Sequence, residues 1–251
     1  MGPVRYVGVD LAWKDIAGRE RTAVAAMDEG GHVLTVGRAG TDDEIIECVL
    51  AAGRPAMVGI DAPLHIPNQG GCRPCERALI RHGVPVFAAN RVFFHDHFGG
   101  CRGERVTERL RQLGYVFTDG TPPLPPDGSV IEVYPYTFWR TLFDVVPPYK
   151  RGRRQPRLEA LAAVTRALLG TLPARPSDAA MGAIAPSGLS AMDGRGLDLV
   201  GDALDSVAAA LTMHTLDRSG VGEDGPTKVF GDIEEGCILA SWPPRVMRRA
   251  G

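Results

Sequence analysis

The chain has 251 residues, of which 44% are hydrophobic and 23% are charged, and its formal net charge is −2. This composition is ordinary for a soluble globular protein and leaves room for a sizeable core. A membrane span is excluded because no apolar run approaches about eighteen residues, and the start of the chain lacks the pattern of a secretory signal. We therefore expect a cytoplasmic location and no membrane partner.

The first part of the chain predicts an antiparallel meander. Three short apolar strands are expected at residues 5–12, 21–28 and 32–39. A tight turn at Glu29-Gly30-Gly31 joins the last two, so these strands run in opposite directions. The first strand carries an aspartate, Asp10, in an otherwise apolar stretch.

A helix and a buried strand follow the meander. Thr41 and Glu44 have the spacing of a capping box, which predicts a helix that ends at Gly53. Residues 55–64 are apolar without alternation, which is typical of a strand covered on both faces. This strand also contains an aspartate, Asp61.

Residues 65–128 are rich in glycine, proline, arginine and histidine, and we interpret them as an insertion over one face of the sheet. Short helices are expected near 73–82 and 103–113. A strand at 129–135 then returns to the sheet and carries Glu132. Because we find no clean linker and no internal repeat, we expect a single domain over residues 1–251 that contains this insertion.

The last part of the chain predicts two helices and a final strand. Residues 156–169 have leucines and alanines at helical spacing, and residues 198–216 form the clearest amphipathic helix of the sequence. A short helix over 137–143 precedes them, and GCILAS at 236–241 is expected to be a strand.

Five cysteines, an odd number at irregular spacing, do not suggest a secreted disulfide framework. Cys72 and Cys75 form a CxxC pair, and further candidate ligands follow it: His82, His95, His97 and Cys101. A single CxxC without a matched second pair is weak evidence, so zinc is the less favoured interpretation.

The carboxylates suggest a metal site. Asp10 and Asp61 follow apolar strand segments, and Asp202 and Asp205 lie on one face of the last helix beside small residues. An unpaired buried charge is costly, and Mg²⁺ prefers oxygen ligands and bridges carboxylates to phosphate. A divalent cation would therefore neutralise these aspartates at the edge of the sheet.

Arginines are concentrated in the run YKRGRRQPR at 149–157. Planar guanidinium groups suit bidentate recognition of phosphate, so Arg151, Arg153 and Arg154 are candidates for substrate binding. The alternative, an ordinary solvated surface in an arginine-rich chain, stays open at this point.

The order of these elements resembles the ribonuclease H-like superfamily, and GDALDSVAAALTMH is similar to the C-terminal helix of the RuvC resolvases. Six segments together resemble the DUF429 family of predicted RNase H-like nucleases: GVDLAW, VGIDAPLHIPN, CRPCERAL, IEVYPYTFW, YKRGRRQPRLEAL and GDALDSVAAAL. The resemblance implies an α/β fold with a mixed five-stranded sheet and helices on both faces. It also implies a metal-dependent nuclease that hydrolyses phosphodiester bonds of DNA or RNA.

The resemblance implies roles for the acids in a site for two Mg²⁺ or Mn²⁺ ions. Asp10 would bridge both ions, Asp61 and Asp205 would each bind one, and Glu132 or Asp202 would complete the site or orient water. Glu132 departs from the ribonuclease H pattern, which has no catalytic acid in the fifth strand.

All of these acids except Asp205, which lies deeper in its helix, also have a structural alternative. Asp10 and Asp61 could cap backbone N–H groups at strand ends, and Glu132 could pair with an arginine. Asp202 could interact with the N-terminal dipole of its helix.

Two other classes of function compete with a nuclease. A non-catalytic binding or scaffold protein could have kept this fold, although all the expected acids are present. An actin-like phosphotransferase would need a glycine-rich phosphate hairpin after Asp10 and a duplicated domain, and the sequence has neither.

Overall fold

The computed structural model describes residues 4–14 and 21–243. Its strands are β1 (Arg5–Asp10), β2 (Thr22–Met27), β3 (Val33–Ala39), β4 (Ala56–Asp61), β5 (Val116–Phe117), β6 (Ser129–Glu132), β7 (Thr227–Asp232) and β8 (Gly236–Ser241). Its helices are α1 (Asp42–Ala51), α2 (Pro74–Arg81), α3 (Arg91–Phe98), α4 (Arg102–Gln112), α5 (Pro135–Leu142), α6 (Arg154–Thr171), α7 (Asp178–Ile184) and α8 (Gly194–Ser219), with a short 3₁₀ helix at Leu189–Ala191. Within this part of the chain, no helix is long and apolar enough to cross a membrane.

The main sheet has six strands in the order β3-β2-β1-β4-β6-β5. β1, β2 and β3 form the predicted antiparallel meander, whereas β4, β6 and β5 continue the sheet in parallel from β1. The predicted count of five strands was wrong, because β5 pairs with β6 inside the segment interpreted as an insertion. β5 has only two residues, which are too few to show the alternation of apolar and polar side chains by which strands are predicted.

A separate antiparallel hairpin of β7 and β8 packs near the end of β6. The expected strand at 236–241 is confirmed as β8, but its partner β7 was not predicted. A parallel bridge between Val133 and Leu239 links the hairpin to the main sheet.

Helices cover both faces of the main sheet, as predicted. On one face, Tyr6 and Met57 join a core that includes Leu204 and Val207 of α8. On the other face, Val7 and Val58 pack with residues of α1 and α4. The strands therefore alternate between two cores, which explains why β1 and β4 are apolar throughout.

The helix boundaries follow local signals that were only partly predicted. Thr41 and Glu44 form the expected capping box of α1. α3 was not predicted; the side chain of Asn90 caps its first turn, and Gly99 ends it in the left-handed conformation. α8 begins at Gly194, four residues earlier than expected, because Asp193 accepts a hydrogen bond from the amide of Gly196 at 2.7 Å.

The close approach of α8 to the sheet brings the site together. Gly8 of β1 and Gly59 of β4 lie side by side beneath α8. A Cβ on Gly8 would lie 2.0 Å from the carbonyl oxygen of Ser206 and 2.3 Å from the amide nitrogen of Ala210. The helix backbone therefore rests on a strand with no side chain at this point.

Gly8→Ala should lower the stability of the protein because the added methyl group would force α8 off the sheet. Overpacking of this kind costs about 1–3 kcal/mol or more. Thermal or denaturant unfolding measures the effect. Gly37→Ala on β3 is the matched control, since the nearest atom to its Cβ would be 3.7 Å away. Equal stability of the two variants would contradict this packing.

Candidate functional site

Asp10 and Asp61 meet at the carboxyl edge of the main sheet. They are the last residues of β1 and β4 and face each other in the parallel register of these strands. The alternative of a strand-end cap is not what the structure shows, since neither side chain accepts a hydrogen bond from a backbone N–H of the described residues. Two neighbouring carboxylates without such donors repel each other.

α8 adds Asp202 and Asp205 to this edge, and the ammonium group of Lys150 connects them to Asp10. Its Nζ lies 2.7 Å from Oδ2 of Asp10, 2.6 Å from Oδ2 of Asp205 and 3.2 Å from Oδ1 of Asp202. Asp202 lies about two turns inside α8, so it is not a partner of the helix N-terminus. The structure thus brings the four predicted ligands to one place, and Lys150, which was not predicted, contacts three of them.

Asp205 is the most firmly held of these acids. Its Oδ1 accepts hydrogen bonds from Nε1 of Trp139 and from the hydroxyl of Tyr149, both at 2.6 Å. All three side chains are buried. The bonds fix the carboxylate so that its second oxygen points to Lys150, and Tyr149 places the neighbouring lysine at the same time.

Burial dominates the electrostatics of the cluster. Burial raises the pKa of Asp10 to about 7; Lys150 opposes this shift, and Asp205 and Asp202 add to it. Burial, followed by the charges of Asp10 and Asp205, holds the pKa of Asp61 well above its usual range. Burial alone would lower the pKa of Lys150, but the surrounding carboxylates raise it, so the lysine stays charged.

The donor set fits a hard divalent cation. All four side chains offer carboxylate oxygens, which Mg²⁺ and Mn²⁺ prefer, and the Lys150 ammonium lies where a cation is needed. Over residues 4–14 and 21–243, no three acidic, cysteine or histidine side chains are arranged ready to hold a metal ion. In this arrangement it is the ammonium group of Lys150 that lies among the carboxylate oxygens.

Glu132 lies next to the cluster but has a different environment. Arg73 donates two hydrogen bonds to it, from Nη1 to Oε2 at 2.9 Å and from Nη2 to Oε1 at 2.6 Å. The amide of Leu64 donates a third at 2.8 Å. The arginine pairing considered from the sequence is thus present, and a catalytic role for Glu132 stays an untested prediction.

Arg73 and Glu132 anchor the segment before α2 to the sheet. Arg73 also donates from Nε to Glu76 at 2.8 Å and from Nη1 to the carbonyl of His65 at 3.0 Å. The side chains of Arg73, Glu76 and Glu132 are almost fully buried. A buried ion pair of this kind is costly to break, because the remaining charge loses its partner.

A cleft of about 370 Å³ opens beside the carboxylates. Asp10 and Asp61 lie in its wall together with Lys150 and Arg151. Of the other two candidate arginines, Arg153 precedes α6 and is exposed, and Arg154 donates to the carbonyl of Ser190 at 2.6 Å. The structure therefore places only Arg151 of the three predicted arginines in this cleft.

The cysteines and histidines proposed as an alternative zinc site lie apart. Cys75 is buried in an apolar cluster with Leu79 and Phe230, and burial raises its pKa to about 12. Cys101 donates its thiol to the carbonyl of Pro63, while His95 is exposed. These environments do not converge on a common ion.

Sequence reasoning missed Lys150, Tyr149 and Trp139. The first two belong to the run at 149–157, where we interpreted the basic residues as a phosphate-binding loop. The contact between Lys150 and Asp10 joins residues 140 positions apart, so no local spacing reveals it. Lys150 is a lysine in an arginine-rich run, but this difference does not show which basic side chain is buried.

Among the comparisons with known proteins, the comparison with family models gives a match. A family model described as "Protein of unknown function (DUF429)" matches residues 8–227, which include all four aspartates of the cluster. No curated protein and no solved structure matches the chain. The description assigns no activity, so the chemistry has to be argued from the site.

Lys150→Met should destabilise the metal-free protein at pH 8, because the buried carboxylates lose their counter-charge. We expect a loss of about 2–3 kcal/mol, below the value for a fully buried pair since 33% of the lysine side chain is exposed. The rise in melting temperature on adding Mn²⁺ should be larger than in the wild type. Differential scanning fluorimetry measures both effects.

Arg151→Met, which removes a neighbouring charge outside the cluster, is the control for Lys150→Met. Its metal-free stability should stay close to that of the wild type. If Lys150→Met were as stable as this control and gained nothing from Mn²⁺, the ammonium group would not be what balances the cluster.

Glu132→Gln should cost about 2–3 kcal/mol of stability, less than a fully broken buried pair, because the buried Arg73 guanidinium loses the charge of Glu132 but keeps that of Glu76. The melting-temperature rise induced by Mn²⁺ should persist. Chemical unfolding with and without Mn²⁺ separates the two properties. Normal stability together with a lost Mn²⁺ response would instead make Glu132 a metal ligand.

Proposed function

This chain belongs to the DUF429 family, and we propose that it is a Mg²⁺- or Mn²⁺-dependent nuclease that hydrolyses phosphodiester bonds. The observation that carries the proposal is the convergence of Asp10, Asp61, Asp202 and Asp205 at one edge of the sheet, beside an open cleft. Such a group of buried acids costs free energy unless cations bind it, so a function that uses cations explains its presence.

The strand order supports an RNase H-like fold for this protein. An antiparallel meander is followed by parallel strands on the side of β1, and a long helix with acidic residues lies across β1 and β4. The first acid lies on β1 and the second on the adjacent β4. The RNase H-like pattern has five strands, and β5 is the additional sixth strand of this sheet. It lies at the outer edge of the sheet, away from the acids.

The four aspartates would hold the metal. A bound Mg²⁺ or Mn²⁺ ion would activate a water molecule and stabilise the leaving oxygen. Asp10 and Asp61 offer their oxygens from the sheet, while Trp139 and Tyr149 keep Asp205 oriented from the helix side. Lys150 lines the cleft, and its ammonium group could pair with a phosphate if a metal took over the carboxylates.

The shape of the surface around the cluster favours a polymeric substrate. A second cleft, of about 230 Å³, is lined by Arg21 and Arg195 and by the acids Asp198 and Asp202. Asp10 and Lys150 belong to both clefts, and Arg151 lines the first. Arginines in both clefts, beside the Asp10 and Lys150 that the clefts share, suit a chain of phosphates.

One observation favours a second candidate, a non-catalytic nucleic-acid-binding or scaffold protein. Lys150 already neutralises part of the cluster with three short contacts, and a permanent internal cation would make a metal unnecessary. The two candidates differ in their response to metal. A nuclease site should bind Mn²⁺ and gain stability from it, whereas a scaffold held by Lys150 should not.

Asp10→Asn should abolish cleavage while the fold survives. The change removes one negative charge from the place where metal binds and keeps the shape of the side chain. We expect a rate loss of at least about a hundredfold, since the charges that develop in the reaction lose their stabilisation. Metal-free Asp10→Asn should be as stable as the wild type or slightly more so at pH 8, because it relieves repulsion.

The assay follows labelled DNA and RNA oligonucleotides, single-stranded and duplex, with Mn²⁺. Asp43→Asn is the matched control, because this aspartate of α1 is 74% exposed and lies outside the cluster. Cleavage at the wild-type rate by Asp10→Asn would disprove the assignment. A wild-type protein that neither cleaves nor responds to Mn²⁺ would support the scaffold.

A further inference from the structure

A group of aromatic rings lies beside the carboxylates and has no role in the chemistry described above. Trp13 is at its centre, with ring centroids 5.1 Å from Phe87, 5.2 Å from Phe94 and 5.5 Å from Phe98. Phe93 also contacts Trp13, at 6.4 Å. We call these five residues the aromatic cluster.

The aromatic cluster is only partly a core. Phe94 is 2% exposed and packs with Ile66 and Ala89, as expected of a side chain that holds α3 in place. Phe87, in contrast, is 48% exposed, and Trp13 is half-buried. The exposed half of Phe87 gains nothing from the hydrophobic effect, so its packing against Trp13 and Phe93 explains only part of its position.

The exposed part of the aromatic cluster faces the candidate active site. Trp13 and Phe87 line the same 370 Å³ cleft as Asp10, Asp61 and Arg151. Trp13 follows Asp10 by three residues, so the two lie at most about 10 Å apart along the chain. One cleft therefore combines a charged wall suited to phosphate with an aromatic wall suited to a flat apolar group.

We propose that Trp13 and Phe87 form a stacking platform for an unpaired nucleobase, and that the substrate is therefore single-stranded where it crosses the site. This inference rests on the proposed function. Binding of single strands combines a positive surface for the backbone with aromatic side chains for the bases, each stacked base contributing substantially to affinity. In a duplex, the faces of the bases are already stacked on each other and cannot reach the rings.

The test measures binding separately from cleavage. Fluorescence anisotropy of a labelled single strand and of its matched duplex is recorded with Ca²⁺, which carboxylates hold in a looser geometry than Mg²⁺. The wild type should bind the single strand more tightly. Phe87→Ala should weaken single-strand binding about 5- to 100-fold and leave duplex binding unchanged.

Ile80→Ala is the matched control for Phe87→Ala, because Ile80 is a hydrophobic residue of α2 with 47% exposure that does not line the cleft. It should bind like the wild type. A second readout uses the fluorescence of Trp13 in a Trp242→Phe protein, where the other tryptophan, Trp139, is fully buried. Addition of the single strand should quench this emission.

The outcomes distinguish the platform from the proposed function. If Phe87→Ala binds single strands as well as Ile80→Ala does, and Trp13 is not quenched, the platform is overturned while a nuclease remains possible on duplex. Tighter binding of the duplex by the wild type also overturns the platform alone. If the wild type binds neither nucleic acid, the platform and the nucleic-acid substrate are both overturned.

Discussion

The ammonium group of Lys150 is held between three carboxylates that would otherwise repel each other. It connects β1, through Asp10, with α8, through Asp202 and Asp205. Burial is the main reason that the pKa of Asp10 and of Asp61 is raised, and repulsion from the neighbouring acids adds to it. Lys150, together with Arg38, whose Nη1 lies 3.9 Å from Oδ2 of Asp202, supplies less positive charge than the four carboxylates of this site carry when they are all ionised. A small cation of higher charge would satisfy it better than an ammonium group, whose three donors cannot match the oxygens of four carboxylates.

Three separate contacts give this edge of the sheet its form. Glycines of β1 and β4 let α8 approach until backbone meets backbone, which brings the helix acids to the strand acids. The buried pair of Arg73 and Glu132 ties the segment before α2 to β6 on the other side of the site. Lys150 fixes the loop before α6. The cleft lies between these anchored segments, so rigid packing rather than a mobile loop sets the positions of the acids.

The sequence predicted what depends on local pattern. Asp10 and Asp61 stood out because each interrupts an apolar strand, and parallel pairing then places them together. Lys150 could not be found in this way, since its partners are distant along the chain and any of several basic neighbours had the same local appearance. The arginine partner of Glu132 was likewise unnamed, because spacing does not reveal which of many arginines is buried. The early start of α8 was missed since Gly194 and Gly196 are poor helix formers, and the Asp193 cap outweighs them.

We propose that this acidic cluster exchanges the ammonium group of Lys150 for a divalent metal ion. Anomalous diffraction from crystals soaked in Mn²⁺ tests it most directly, since the signal locates manganese without assumption about activity. We predict a peak about 2 Å from carboxylate oxygens of Asp10 and Asp61, with Lys150 moved away from Asp10 and Asp205. A structure in which Lys150 keeps its three contacts and no manganese lies among the aspartates, at a concentration that saturates other carboxylate sites, would contradict the claim.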